Sequence, residues 1–207
     1  MTRLTEKIRL YLQYSIIICV LFMVIYGSTN WINELRDEHF HLYFQWETEI
    51  PFIPWMIIVY LSLQLLFLAP IFHCEIAGLT TLAKRMILAI CIAGVIFLAV
   101  PTIAGFERTD NPAMSSLLFS ILYTLDRPYN LFPSLHISLS TLVVVAVTND
   151  AGLCRRISYY FWLLLLFTSV LLVHQHHLAD ILGGVVLTFV CIRIIPSGDL
   201  VPDRLTV

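Results

Sequence analysis

The sequence contains few charged residues. Only 13% of its 207 residues are charged, whereas a soluble domain has about 25%. Hydrophobic residues make up 59% of the chain, and the mean hydropathy is +0.86. This composition excludes an ordinary soluble domain and predicts a single integral membrane domain over residues 1–207.

Paired cysteines are also absent. The five cysteines form no CxxC pair and no other regular spacing. This pattern argues against a disulfide framework and against a thiolate metal site. The chain has no internal repeat and no low-complexity segment that would indicate a solenoid or a linker.

Long apolar segments dominate the sequence. Each has roughly 16–20 residues, close to the number that crosses a hydrocarbon layer, and backbone groups in lipid must be satisfied within helices. The pattern predicts an all-α fold, a bundle of six transmembrane helices. The six segments are 11–27, 52–70, 86–102, 134–149, 158–173 and 177–195.

The basic residues predict the orientation of these spans. With the N- and C-termini in the cytoplasm, nine basic residues face the cytoplasm and three face the opposite side, which follows the positive-inside rule. The nine are Arg3, Lys7, Arg9, Lys84, Arg85, Arg155, Arg156, Arg193 and Arg204, and the three are Arg36, Arg108 and Arg127. We therefore expect a protein of the inner or plasma membrane.

Two outer segments connect the first four spans. Segment 28–51 is aromatic and acidic, which predicts an interfacial helix between the first two spans. Segment 103–133 is the longest connection, and long loops often carry functional residues.

The first chemical motif is Pro133-Ser134-Leu135-His136. Pro133 and Ser134 are typical of a helix start, where Ser134 would cap the fourth span. A helix N-terminus favours a phosphate, and His136 lies in its first turn. Arg108 and Arg127 precede it on the same side, and guanidinium groups bind phosphate oxygens.

The second motif pairs His176 with Asp180. Residues four apart on a helix share a face, so the carboxylate can fix the imidazole tautomer and leave its other nitrogen basic. Gly183 and Gly184 would let a neighbouring helix approach closely and bring His136 near His176. The other histidines of this stretch, His174 and His177, are expected to be interfacial groups or substrate contacts.

These residues permit a phosphoryl transfer that needs no cofactor. His176 would attack phosphorus and form a phosphohistidine, with Asp180 orienting it. His136 would protonate the leaving group, and Arg108, Arg127 and Ser134 would hold phosphate oxygens. Positioned acids and bases of this kind contribute about 10²–10⁴-fold each.

The two motifs resemble those of the PAP2 superfamily, the type 2 phosphatidic acid phosphatases and related phosphotransferases. The second family element reads Pro133-Ser134-Leu135-His136, with leucine in place of glycine, as in the branch of inositol phosphorylceramide and sphingomyelin synthases. The third reads Ser169, His176 and Asp180, with Val170 where arginine is usual. The first element is represented by Arg108, followed by Thr109 rather than proline, with Arg127 as an additional phosphate contact.

The resemblance implies a lipid phosphatase or a phospholipid head-group phosphotransferase. Its active site would open on the periplasmic or other extracytoplasmic side. The expected partners are a lipid phosphate substrate and the bilayer, with no nucleic acid and no metal. The lipid, the acceptor and the oligomeric state stay open.

Two other readings of the sequence remain. His136 and the cluster His174, His176 and His177 suit a transition metal or haem, which would indicate a redox or metal-handling membrane protein. In the second reading, the chain would be a catalytically inactive transporter or scaffold that keeps the PAP2 fold.

Overall fold

The computed structural model describes residues 3–106 and 117–197. These residues form only helices and connecting segments, with no β-strand among them. The helices are α1 Arg3–Glu34, α2 Met56–Leu61, α3 Leu63–Leu66, α4 Ala69–His73, α5 Ile76–Ala99, α6 Leu117–Leu125, α7 Leu135–Thr148, α8 Leu153–Leu172 and α9 Leu178–Ile194, with a 3-10 turn at Gln45–Glu49.

The described residues are all-helical, as predicted, and are compatible with an integral membrane protein. Within the described residues, α1, α5 and α8 are long and apolar enough to cross a membrane. Helix α7 is apolar but shorter, with 14 residues. The predicted segments 134–149 and 177–195 agree closely with α7 and α9.

The predicted second span, 52–70, is divided among α2, α3 and α4. The break between α2 and α3 falls at Ser62, whose hydroxyl donates to the carbonyl of Val59 at 2.6 Å. The same hydroxyl accepts from the indole N–H of Trp162 on α8 at 2.8 Å. Side-chain bonds to the preceding turn bend helices, and this one also ties the bend to α8.

Helix α7 forms the centre of the bundle. It packs against α3, α4, α5, α8 and α9, and its residues Ile137, Val143, Val144 and Val147 are almost fully buried. A helix that is apolar on every side is expected in such a position. Because α7 is central, its N-terminus lies at the middle of one end of the bundle.

The prediction of an interfacial helix in segment 28–51 is wrong. Residues 28–34 continue α1, and the remainder is irregular except for the turn Gln45–Glu49. The N–H of Phe40 donates to Pro101 O at 2.7 Å, and its carbonyl accepts from Ile103 N at 3.2 Å. These bonds hold the segment against the chain that follows α5 instead of leaving it free to form a separate helix.

Buried amides connect the second outer segment to α1. Asn130 donates to the carbonyl of Tyr26 at 2.9 Å and to the hydroxyl of Thr29 at 2.8 Å. Asn33 donates to Asn130 Oδ1 at 3.1 Å and to Phe97 O at 2.9 Å. The C-terminal part of α1, the end of α5 and the start of α7 thus meet at one end of the bundle, called here the histidine end.

Candidate active site

The start of α7 positions His136. Ser134 is fully buried, and its hydroxyl accepts from Ile137 N at 3.3 Å as the helix cap, as predicted. The N–H of Ser134 donates to the carbonyl of Asp180 on α9 at 3.0 Å. Helices α7 and α9 therefore begin side by side, joined through their backbones.

Gly184 permits this close approach. A Cβ at this position would lie 2.6 Å from Ser134 O and 2.9 Å from the Cβ of Ile137. Both are distances that real Cβ atoms do not tolerate, and the first partner is backbone. The predicted role of Gly184, to bring α7 and α9 together, is thus confirmed in the structure.

His136 and His176 face each other across this seam. His136 Nδ1 lies 3.3 Å from His176 Nε2, and the ring centroids are 5.5 Å apart. The two motifs, 40 residues apart in sequence, converge on one spot at the histidine end. Because the two nitrogens are in contact, no phosphorus atom fits between them. His176 Nε2 becomes accessible to phosphorus only when the rings move apart.

Asp180 lies next to His176, but His176 precedes α9, which begins at Leu178, so the two do not share a helix face as predicted. Its Oδ2 is 3.5 Å from His176 Nδ1, and both side chains are buried. Within the described part of the chain, His176 Nδ1 makes no hydrogen bond, because Oδ2 accepts instead from the N–H of His177 at 2.8 Å. Catalytic hydrogen bonds are often long without substrate, so a small movement of the imidazole would complete the pair.

A second acidic group lies behind His136, and sequence reasoning missed it. The hydroxyl of Tyr60 on α2 is 2.6 Å from His136 Nε2 and 3.5 Å from Asp126 Oδ2. The other oxygen of Asp126 accepts from the hydroxyl of Tyr26 on α1. Each histidine thus has a carboxylate on the side away from the other histidine. Asp180 lies next to His176, and Asp126 is connected to His136 through Tyr60.

Glu47 is a further residue that sequence reasoning missed. It is fully buried, and its carboxylate accepts from Phe44 N at 2.9 Å and from Leu178 N, in the first turn of α9, at 2.8 Å. Oε2 is also 3.3 Å from His177 Nδ1. An unsatisfied helix N-terminus attracts a carboxylate, but no local pattern shows that Glu47, 131 residues away, supplies it.

His177 is fixed in one neutral form. Its Nε2 accepts from the N–H of Gly105 at 3.0 Å, which leaves the ring proton on Nδ1, facing Glu47. The imidazole is stacked between Tyr43 and Phe106 at centroid distances of 4.5 and 4.3 Å. Burial lowers the pKa of His177 below its ordinary value, although Asp180 and Glu47 act in the opposite direction.

His174 has a structural role of the same kind. Its Nε2 lies 2.8 Å from the carbonyl of Ile50, and Phe106 stacks on it at 4.0 Å. Burial lowers its pKa. Its φ of 57° places it in the left-handed region, which histidine adopts more readily than most residues. This turn directs the chain from α8 to His176.

The predicted phosphate-binding residues are placed differently. Arg127 forms an ion pair with Glu34 at the end of α1 and is partly exposed. Arg108 lies outside the described residues. The hydroxyl of Ser134 is occupied as a cap. The structure brings together His136, His176 and Asp180, and it does not bring Arg127 into contact with them among the described residues.

The histidine cluster does not converge as a metal site. The described residues contain no group of three or more histidine, cysteine, aspartate or glutamate side chains placed to hold an ion. His174 and His177 direct Nε2 toward backbone groups of other segments. Two of the four histidines of the predicted metal or haem alternative are therefore engaged through Nε2.

An apolar cavity of about 400 Å³ ends at His136 and His176. Its volume is within the usual range for ligand pockets. It is bounded mainly by α1, α3, α5 and α7 and reaches Tyr11 and Leu79 at the other end. Two facing imidazoles backed by carboxylates, at the end of an apolar cavity, are suited to transferring a group carried by an apolar molecule.

The resemblance to the PAP2 superfamily rests on the residues themselves, Pro133-Ser134-Leu135-His136 and His176 with Asp180. In comparisons with known proteins, no family model, no curated protein and no solved structure matches the chain.

Proposed function

We propose that the chain is a six-span membrane enzyme of the PAP2 type. It hydrolyses or transfers the phosphoryl group of an amphipathic phosphate or pyrophosphate ester. The observation that carries this proposal is the pairing of His136 Nδ1 with His176 Nε2 at 3.3 Å. The pair lies at the end of an apolar cavity, with Asp180 behind the second ring.

In the proposed reaction, His176 Nε2 attacks phosphorus. The N–P bond forms as the ester P–O bond breaks, and His136 gives its proton to the leaving oxygen. Asp180 stabilises the charge on His176. Water or another hydroxyl then gives its proton to His136 and attacks phosphorus, and the N–P bond breaks.

The phosphate oxygens need positive partners during both steps. The N–H groups in the first turn of α7 are suited to this role. So are the O–H of Ser134, whose oxygen already accepts the cap bond, and Arg108, the arginine assigned to the first family element. Arg127 contributes in addition once it leaves Glu34, its present partner. No metal or other cofactor takes part in this proposal.

The distribution of charge supports the proposed orientation. Basic residues occupy the end of the bundle opposite the histidine end, where Arg3 pairs with Glu75 and Arg85 donates to the carbonyl of Ile195. Under the positive-inside rule that end faces the cytoplasm. The active site then opens on the extracytoplasmic side.

The test is phosphate release by the purified protein. Phosphatidic acid, phosphatidylglycerol phosphate and undecaprenyl pyrophosphate are offered with and without an alcohol acceptor. The His176→Ala variant should release no phosphate, and vanadate should inhibit the wild type. His136→Ala and Asp180→Asn should lower the rate about 10²–10⁴-fold. His41→Ala, at an exposed position, is the control.

Three outcomes would refute the proposal. Full activity in His176→Ala would remove the nucleophile. Loss of activity with EDTA and its return with added metal would replace the mechanism by a metal-dependent one. Absence of release from every substrate, with normal cellular function of His176→Ala, would favour the scaffold or transporter alternative.

A further inference from the structure

The cavity extends far from the histidines. Along α1 it is bordered by side chains from Tyr11 to Tyr26, which are 15 positions apart. At about 1.5 Å per residue this is a length of about 22 Å. One leaflet of the hydrocarbon layer is about 15 Å deep. A cavity that begins at the outer interface and has this length passes the middle of the bilayer.

The walls along this length are mainly apolar, although Tyr14, Ser15 and Gln64 also border the cavity. Phe22 of α1, Leu82 and Met86 of α5, and Leu139 and Val143 of α7 surround its middle part. Mainly apolar walls favour a hydrocarbon over a solvated head group. The phosphate therefore belongs at the histidine end, and the hydrocarbon chain belongs between the helices.

One side of the cavity opens to the lipid. Cys19, Met23 and Gln64 border it and are also exposed on the outside of the bundle, Met23 with 66% of its surface accessible. These residues mark a gap between α1 and α3. A lipid in the surrounding layer can thus insert its chain sideways while its head group stays at the histidine end.

A hydrogen bond crosses the far end of the cavity. The hydroxyl of Tyr11 donates to the carbonyl of Phe67 at 3.0 Å and bridges α1 to the segment between α3 and α4. Leu79 and Ala83 of α5 border the cavity in this part. Ala83 is buried, and its small side chain keeps the passage open.

We infer that this cavity is a binding site for one long hydrocarbon chain and selects substrates by the length of that chain. The inference rests on the proposed function for the phosphate at its end. A short chain fills only the part near His136. A chain whose length exceeds the depth of one leaflet reaches Ala83. Each methylene that enters an apolar site from water improves binding about fourfold.

The experiment compares hexyl, dodecyl and octadecyl phosphate. Ala83→Phe shortens the cavity, and Ala77→Phe places the same side chain on an exposed face of α5 as the control. The kcat/KM of Ala83→Phe divided by that of Ala77→Phe should be near one for hexyl phosphate. For octadecyl phosphate it should fall at least about tenfold, since two or more methylenes lose their place. An equal ratio at every length would overturn the inference.

A second measurement does not depend on turnover. Cys19 borders the cavity, whereas Cys91 is exposed elsewhere on the bundle. Octadecyl phosphate should protect Cys19 from a maleimide much more than hexyl phosphate does, and neither should protect Cys91. Protection without phosphate release would refute the proposed function and keep the chain site. Phosphate release with no length-dependent protection would refute the chain site alone.

Discussion

Glu47 provides a sharp test of how the histidine end is held together. Its carboxylate accepts from two backbone N–H groups, those of Phe44 and Leu178, and lies 3.3 Å from His177 Nδ1. The Glu47→Gln variant keeps the shape of the side chain. It replaces one acceptor oxygen by an NH₂ group that faces another donor.

The expected loss of stability follows from these contacts. A hydrogen bond to a charged group contributes about 1.5–3 kcal/mol, and at least one of the two short bonds is lost in Glu47→Gln. We expect a loss of about 2–3 kcal/mol in the free energy of unfolding. At about 2–4 °C per kcal/mol for a chain of this size, the melting temperature should fall by about 4–12 °C.

The assay is thermal unfolding of the purified protein at neutral pH, with Glu49→Gln as the matched control. Glu49 is exposed and only two residues away, so its substitution should change the stability by no more than about 0.5 kcal/mol. Equal melting temperatures for the two variants would show that Glu47 is not bonded to the start of α9.

Three further substitutions or conditions test other contacts. Gly184→Ala should destabilise the protein by about 1–3 kcal/mol through overpacking. Gly27 has open space around it, so Gly27→Ala should stabilise the protein by about 0.5–1 kcal/mol. Equal unfolding free energies for the two variants would contradict this. Tyr60→Phe should lower the rate of phosphate release at least about tenfold by removing a bond to a charged imidazole, and Tyr160→Phe, at an exposed position of α8, should not. Because the pKa of His177 is lowered in the folded protein, the unfolded chain takes up a proton first as the pH falls below about 6.5. Stability should therefore decrease over that acidic range, and less steeply in His177→Phe; a flat thermal stability profile would refute this.

The parts of the fold that depend on local signals could be predicted from the sequence. The boundaries of α7 and α9 follow from apolar runs that begin at Ser134 and near His177, since both ends carry side chains that cap a helix. The irregular second span could not be predicted. Ser62 bends it through a bond to Val59 O, and the bend is held by Trp162, 100 residues away.

The candidate site divides in the same way. His136, His176 and Asp180 belong to two short motifs, each at the start of a predicted helix, and could be identified from those motifs. Tyr60 and Glu47 contact residues far along the chain, His136 and Leu178. In the local sequence Tyr60 therefore looks like any residue of an apolar helix, and Glu47 looks like any acidic residue of a loop. Glu47 lies among exposed aromatic residues, which favoured the wrong prediction of a surface helix.

The backbone seam between α7 and α9 has a consequence for how substrate is admitted. The bond from Ser134 N to Asp180 O and the absence of space at Gly184 fix the spacing of the two helices. With the helices held in this way, we expect the imidazoles of His136 and His176 to separate by turning about their side-chain bonds. Such rotations are faster than displacements of whole helices. Admission of the phosphate is then expected to depend little on the thickness or stiffness of the surrounding membrane.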